Sequence, residues 1–71
     1  MTTHLTRTIN LFSVRAGLWR VTGGSGVILG HIECHSTPDG DRYRARRLVF
    51  ATLTRDVGEF WHLADAADCF R

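Results

Sequence analysis

Apolar and polar positions alternate along most of this chain. In the run from Val27 to Ser36, the residues Ile28, Gly30, Ile32 and Cys34 fall on one face of an extended segment. Val27, Leu29, His31, Glu33 and His35 fall on the other, because successive strand side chains point to opposite sides. The run from Arg42 to Phe50 repeats the pattern, with Arg42, Arg44 and Arg46 on one face and Tyr43 and Ala45 on the other. Between the two lies Thr37-Pro38-Asp39-Gly40-Asp41. Proline there presets φ and glycine supplies a left-handed position, so the chain reverses. The pattern therefore predicts an antiparallel hairpin of strands 27–36 and 42–50. A third strand is predicted over 18–22, with Trp19 and Val21 facing inward and Arg20 outward. Gly23-Gly24-Ser25-Gly26 closes it. A glycine-rich loop cradles phosphate when a helix follows it; here a strand-like segment follows, so the loop reads as a turn.

The two ends are less regular. Residues 5–15 fit a strand, with Ile9 and Leu11 alternating, and also fit a short helix through Ile9, Phe12 and Ala16 that ends at Gly17. Periodicity does not separate these for so short a run; the extended reading is preferred, with residues 1–7 frayed. Thr54-Arg55-Asp56-Val57-Gly58 is expected to be a loop. Beyond it, Leu63, Ala66, Ala67 and Phe70 recur at helical spacing and predict a helix over about 62–70, with Asp65 in its first turn, where a carboxylate complements the helix dipole. The fold expected is α+β: one domain over 1–71, in which an antiparallel sheet of three strands, or four with residues 5–15, packs on one C-terminal helix. Trp19, Val21, Ile28, Ile32, Cys34, Tyr43 and Ala45 would line the covered face, with Trp19 against Phe70. Arg20, His31, Glu33, His35, Arg42, Arg44 and Arg46 would line the open one.

Size narrows the picture. A 71-residue chain buries only about 60% of its unfolded surface, so a single small core is available. The apolar share of 44% fits a globular protein rather than a disordered one. All nine basic residues are arginine, and the net charge is +2. Each cation is therefore a planar fork suited to bidentate contact with phosphate, carboxylate or guanine. No apolar run approaches the roughly 18–20 residues that span a bilayer. The N-terminus lacks the charged start and apolar stretch of a signal peptide. A cytoplasmic protein without membrane association is expected.

Several chemistries are excluded on pattern. His31, Cys34, His35, His62 and Cys69 are the potential metal ligands. On a strand, however, His31 and His35 stand ~13 Å apart at ~3.3 Å per residue, and Cys34 points away from both. No metal or other cofactor is expected, and Cys34 and Cys69 are expected to be free thiols. No serine or cysteine sits on a glycine elbow beside a base, and Asp65 and Asp68 occupy an exposed helical face, so no catalytic role is assigned and the protein is not expected to be an enzyme.

What remains is the arginine face. Four arginines, Arg42, Arg44, Arg46 and Arg47, fall within six residues, and Arg20 and His31 share the sheet side of the first three. One reading is a solvated face in which Glu33 and Asp41 pair with neighbouring arginines. The other is a nucleic-acid interface, most naturally for duplex DNA, formed by Arg20, His31, Arg42, Arg44 and Arg46, since a small sheet enters the major groove and arginine reads guanine there. The succession Trp19-x-Val21, Leu29-Gly30-His31-Ile32, Arg42-Tyr43-Arg44-Ala45, Gly58-Glu59-Phe60 and Asp65-Ala66 resembles two families. These are the arm-binding N-terminal domain of tyrosine recombinases and the plant ethylene-response-factor DNA-binding domain. The resemblance spans about residues 18–71 and implies a three-stranded sheet that contacts DNA; a chain this short would act as a small regulator or an accessory factor of a mobile element. A different class of function also fits: an adaptor that binds a protein partner through Phe60 and Trp61, or a homodimer formed by strand addition at the N-terminal segment.

Overall fold

The computed structural model describes residues 8–71, so the expected fraying of 1–7 lies outside the described residues. The elements run β1 (Ile9–Arg15), β2 (Leu18–Gly23), β3 (Ile28–Thr37), β4 (Gly40–Phe50), β5 (Leu53–Phe60) and α1 (Leu63–Asp68). All five strands form one antiparallel sheet in the order β1-β2-β3-β4-β5, each paired with its chain neighbour. The sheet thus has more strands than the three or four expected.

Both additions come from the chain ends. Residues 9–15 are strand, settling the earlier ambiguity in favour of the extended form. The segment expected to be a loop at 54–58 is instead most of β5. Its apolar content is low because it is an edge strand, open to water along one side, so the hydrophobic alternation that marks a buried strand is missing. Gly58 sits at φ 152° beside a break in the register between Ala45 and Arg46, which leaves Val57 without a partner opposite it. A glycine at a bulge was read from sequence as a loop end, and bulges are where that confusion arises.

The hairpin of β3 and β4 forms as the alternation requires, in the register His31–Arg46, Ile32–Ala45, Glu33–Arg44, Cys34–Tyr43 and His35–Arg42. Its turn is closed by the Thr37 hydroxyl, which donates to the Gly40 carbonyl at 2.6 Å and accepts from the Asp39 amide at 3.2 Å. Helix α1 is shorter than expected, six residues starting after His62, which supplies no side-chain cap. At that length packing must hold it.

The core is small. Val21, Ile32, Ala45, Ala66 and Phe70 are fully buried and Ala67 nearly so; Trp19, Leu29, Tyr43, Phe60 and Leu63 pack around them half-buried. Trp19, expected inside against Phe70, is half-buried at the edge of the core. It lies beside Tyr43, with ring centroids 5.9 Å apart, and Phe70 takes the interior. Ile28 is a second correction: it is 48% exposed, and a register shift between Val21 and Thr22 puts Leu29 on the core side in its place. One extra residue in a strand reverses every face assignment beyond it.

Candidate nucleic-acid interface

The sheet face opposite α1 carries the candidate residues. β2, β3 and β4 place Arg20 opposite His31 and His31 opposite Arg46, forming a row that crosses three strands. Two rungs along, His35 stands opposite Arg42, and Arg44 stands opposite both Glu33 and Glu59 on its two sides. The five predicted residues thus share one face, as the alternation required.

Electrostatically they divide into two groups. Glu59 Oε2 accepts a hydrogen bond from Arg44 Nη2 at 2.8 Å and lies 2.6 Å from His35 Nε2, and Glu59 Oε1 is 4.0 Å from Arg42 Nη2. The bonds from Arg44 and from His35 hold the Glu59 carboxyl below its ordinary range. The Arg42 guanidinium also stacks on the Trp61 ring, 4.1 Å from its centroid. Arg42 and Arg44 are therefore braced by protein groups, although the Nε of each is buried without a hydrogen-bond partner.

Arg20, His31 and Arg46 are different. Among the described residues none of them makes an ion pair within 4.0 Å, even though Asp56 is the register neighbour of Arg46. The nearby acid Glu33 is turned to Arg15, whose Nη2 is 3.4 Å from Glu33 Oε2. A shallow depression holds Arg20, His31 and Glu33 within a frame of Val14, Leu18, Ile28 and Leu48.

The sequence named Glu33 and Asp41 as partners for the arginines. Glu33 does pair, with Arg15 rather than with a β4 arginine, and Asp41 accepts from the Ser36 hydroxyl at 3.1 Å. The acid that dominates the face, Glu59, lies at the end of a strand that the sequence reads as a loop, so the sequence pairs it with no arginine. The signal for it is the cross-strand preference: an acid on a strand antiparallel to β4 is stabilised when it stands opposite one of the alternating arginines.

No group of three or more histidine, cysteine or acidic side chains is arranged to hold a metal among the described residues. Cys34 and Cys69 are free thiols, and burial pushes the Cys69 thiol up. Nor is any helix among the described residues long and apolar enough to cross a membrane.

No family model matches this chain, and no curated protein or solved structure matches it either.

Proposed function

We propose that this protein binds nucleic acid, specifically duplex DNA, through the open face of its sheet, in the role of a small regulatory or accessory factor without catalytic activity of its own. The observation that carries the reading is the row Arg20–His31–Arg46, held in register across three strands with no carboxylate within 4.0 Å among the described residues. Two guanidiniums left without counter-charge on a rigid sheet favour a polyanion, and the planar fork suits phosphate or a guanine edge. Arg42 and Arg44 border this row, anchored by Glu59, and they fix its rim. The residue-pattern resemblance to sheet-based DNA-binding domains supports the same reading.

The test is an amide-shift titration with a short random-sequence duplex at two salt concentrations. Shifts centred on β2, β3 and β4 that fade with salt are expected. Each phosphate neutralised contributes about 0.9 to the slope of log affinity against log salt. Replacing Arg20 and Arg46 together by glutamine should thus reduce the slope by about 2, whereas Arg44→Gln should leave it nearly unchanged. A double variant that binds like the wild type removes the row from the interface.

One observation favours a second reading, a protein-binding adaptor. Trp61 is 50% exposed and braced by Arg42, the combination found at binding hot spots, while Phe60 is half-buried next to Tyr43 and contributes less. Shifts confined to Trp61 and β1, insensitive to salt, would select it.

A further inference from the structure

The pairing of β3 with β4 ends at Gly30–Arg47, but β4 and β5 continue together through Leu48–Thr54 to Phe50–Leu53. The last rungs are therefore a two-stranded ribbon that no longer bonds to β3, while the β2–β3 hairpin continues at the same end through Thr22–Ile28. Three residues beyond Arg47, at ~3.3 Å each, give the ribbon a length of ~10 Å. Its tip is apolar and bare: Val49 is 57% exposed, Leu53 65% and Phe50 77%. Single exposed apolar residues are ordinary, but three at one hairpin end, including the most exposed aromatic of the core-forming types, need an occupant. The turn itself is made without glycine, and Ala51 takes φ 54°, a left-handed conformation that is unfavourable for a residue with a side chain.

The base of the ribbon carries a cation on each side and is net basic on its helix face. Arg46 lies on the open face, next to Asp56. Arg47 and Arg55 oppose each other on the helix face, a like-charge cross-strand pair that is unfavourable in isolation. Neither has a carboxylate within 4.0 Å among the described residues, and Arg47 is positioned by the Phe70 ring at 5.5 Å. An apolar point carried between cations on both flanks matches the floor and the two phosphate walls of a DNA groove, which is about 8 Å deep.

We infer that the β4–β5 ribbon is a DNA-deforming arm, whose tip enters the minor groove and wedges Phe50 between adjacent base pairs while Arg46, Arg47 and Arg55 hold the flanking phosphates. The inference rests on the DNA-binding reading above and adds to it a kink in the duplex. Inserted apolar side chains unstack a base step and bend the helix towards the major groove. A step already weakened by a mismatch is easier to open, so the arm should select for it.

The experiment uses the full chain with a short duplex end-labelled for energy transfer and carrying 2-aminopurine at a central step. Wild-type protein should bring the ends closer and raise the 2-aminopurine emission, and it should bind a duplex with one central mismatch about tenfold more tightly than the matched one. Phe50→Ala should abolish the bend, the emission change and the mismatch preference while keeping the salt-sensitive shifts on β2, β3 and β4. Phe50→Trp should keep all of them. Because Phe50 is the most exposed large apolar residue among the described residues, neither substitution threatens folding. Wild-type binding with unchanged end-to-end distance, or a Phe50→Ala complex bent like the wild type, overturns the arm and leaves the DNA-binding reading standing. An oligomeric wild type that Phe50→Ala converts to monomer assigns the tip to a second copy and also overturns it. Absence of any DNA binding by the wild type overturns the parent reading, and the arm with it.

Discussion

Phe70 lies directly over Gly30: a β-carbon on Gly30 would stand 2.8 Å from Cε1 of the Phe70 ring and would also collide with the Arg46 carbonyl. The absence of a side chain at one position of β3 is what lets the last aromatic of the chain reach the sheet. Phe70 is fully buried there, and its other edge receives the Arg47 guanidinium. The helix, the sheet and the base of the β4–β5 ribbon meet at this contact.

Gly30→Ala should accordingly destabilise the fold by about 2–3 kcal/mol, the upper part of the range for overpacking, since a backbone carbonyl cannot give way. Gly24→Ala is the control, because its added carbon would meet nothing nearer than 3.9 Å. It should shift stability by less than about 0.5 kcal/mol. Urea unfolding followed by fluorescence measures both.

Phe70→Ala should cost about 3–5 kcal/mol, as expected for a fully buried aromatic. Trp19→Ala, at a half-buried site on the rim of the core, should cost about 2 kcal/mol less than that. An equal loss at the two sites would show that Trp19 is more enclosed than its place beside Tyr43 implies.

Glu59 ties stability to pH. Hydrogen bonds from Arg44 and His35 depress its carboxyl below the ordinary value of 4.5, so the ionised form is favoured by folding. The stabilisation is fully present above pH 4.5 and is lost as the pH falls through the lower folded value. Glu59→Gln should therefore melt below the wild type at pH 7, and the gap should close in acid. Thermal melts of the two proteins from pH 7 down to pH 3 test this, and a gap that persists unchanged at pH 3 would place the effect elsewhere.

The same substitution should act oppositely on binding. With Glu59 neutral, Arg42 and Arg44 lose their counter-charge and become available to phosphate. Affinity for duplex DNA should rise at low salt and the salt slope should steepen by about 2, at about 0.9 per arginine. Fluorescence anisotropy over a salt series reads it, and an unchanged slope would show that these two arginines do not face the ligand.

Much of this was legible in the residues, and the exceptions have physical causes. The β3–β4 hairpin, the shared face of Arg20, His31, Arg42, Arg44 and Arg46, and a C-terminal helix carrying Ala66 and Ala67 follow from alternation, a proline-glycine turn and helical spacing. β5 was not legible, because an edge strand with one wet side carries Arg55, Asp56 and Gly58 where a buried strand would carry aliphatics. Glu59 was lost with it. The exchange of Ile28 for Leu29 was hidden for a different reason: a bulge depends on the partner strand, and no single run of residues shows it.

The meander also bears on how the chain finds its structure. Every strand neighbours the one that precedes it, so each ladder closes after a short reversal and no strand has to wait for a distant partner. Search through distant pairings is what slows most sheet proteins, and it is largely absent here. Refolding should fall in the millisecond range or faster, with hairpins zipping in any order. A distant appointment is that of Phe70 with Gly30, forty residues apart, and docking of the C-terminal segment should be the last event to complete.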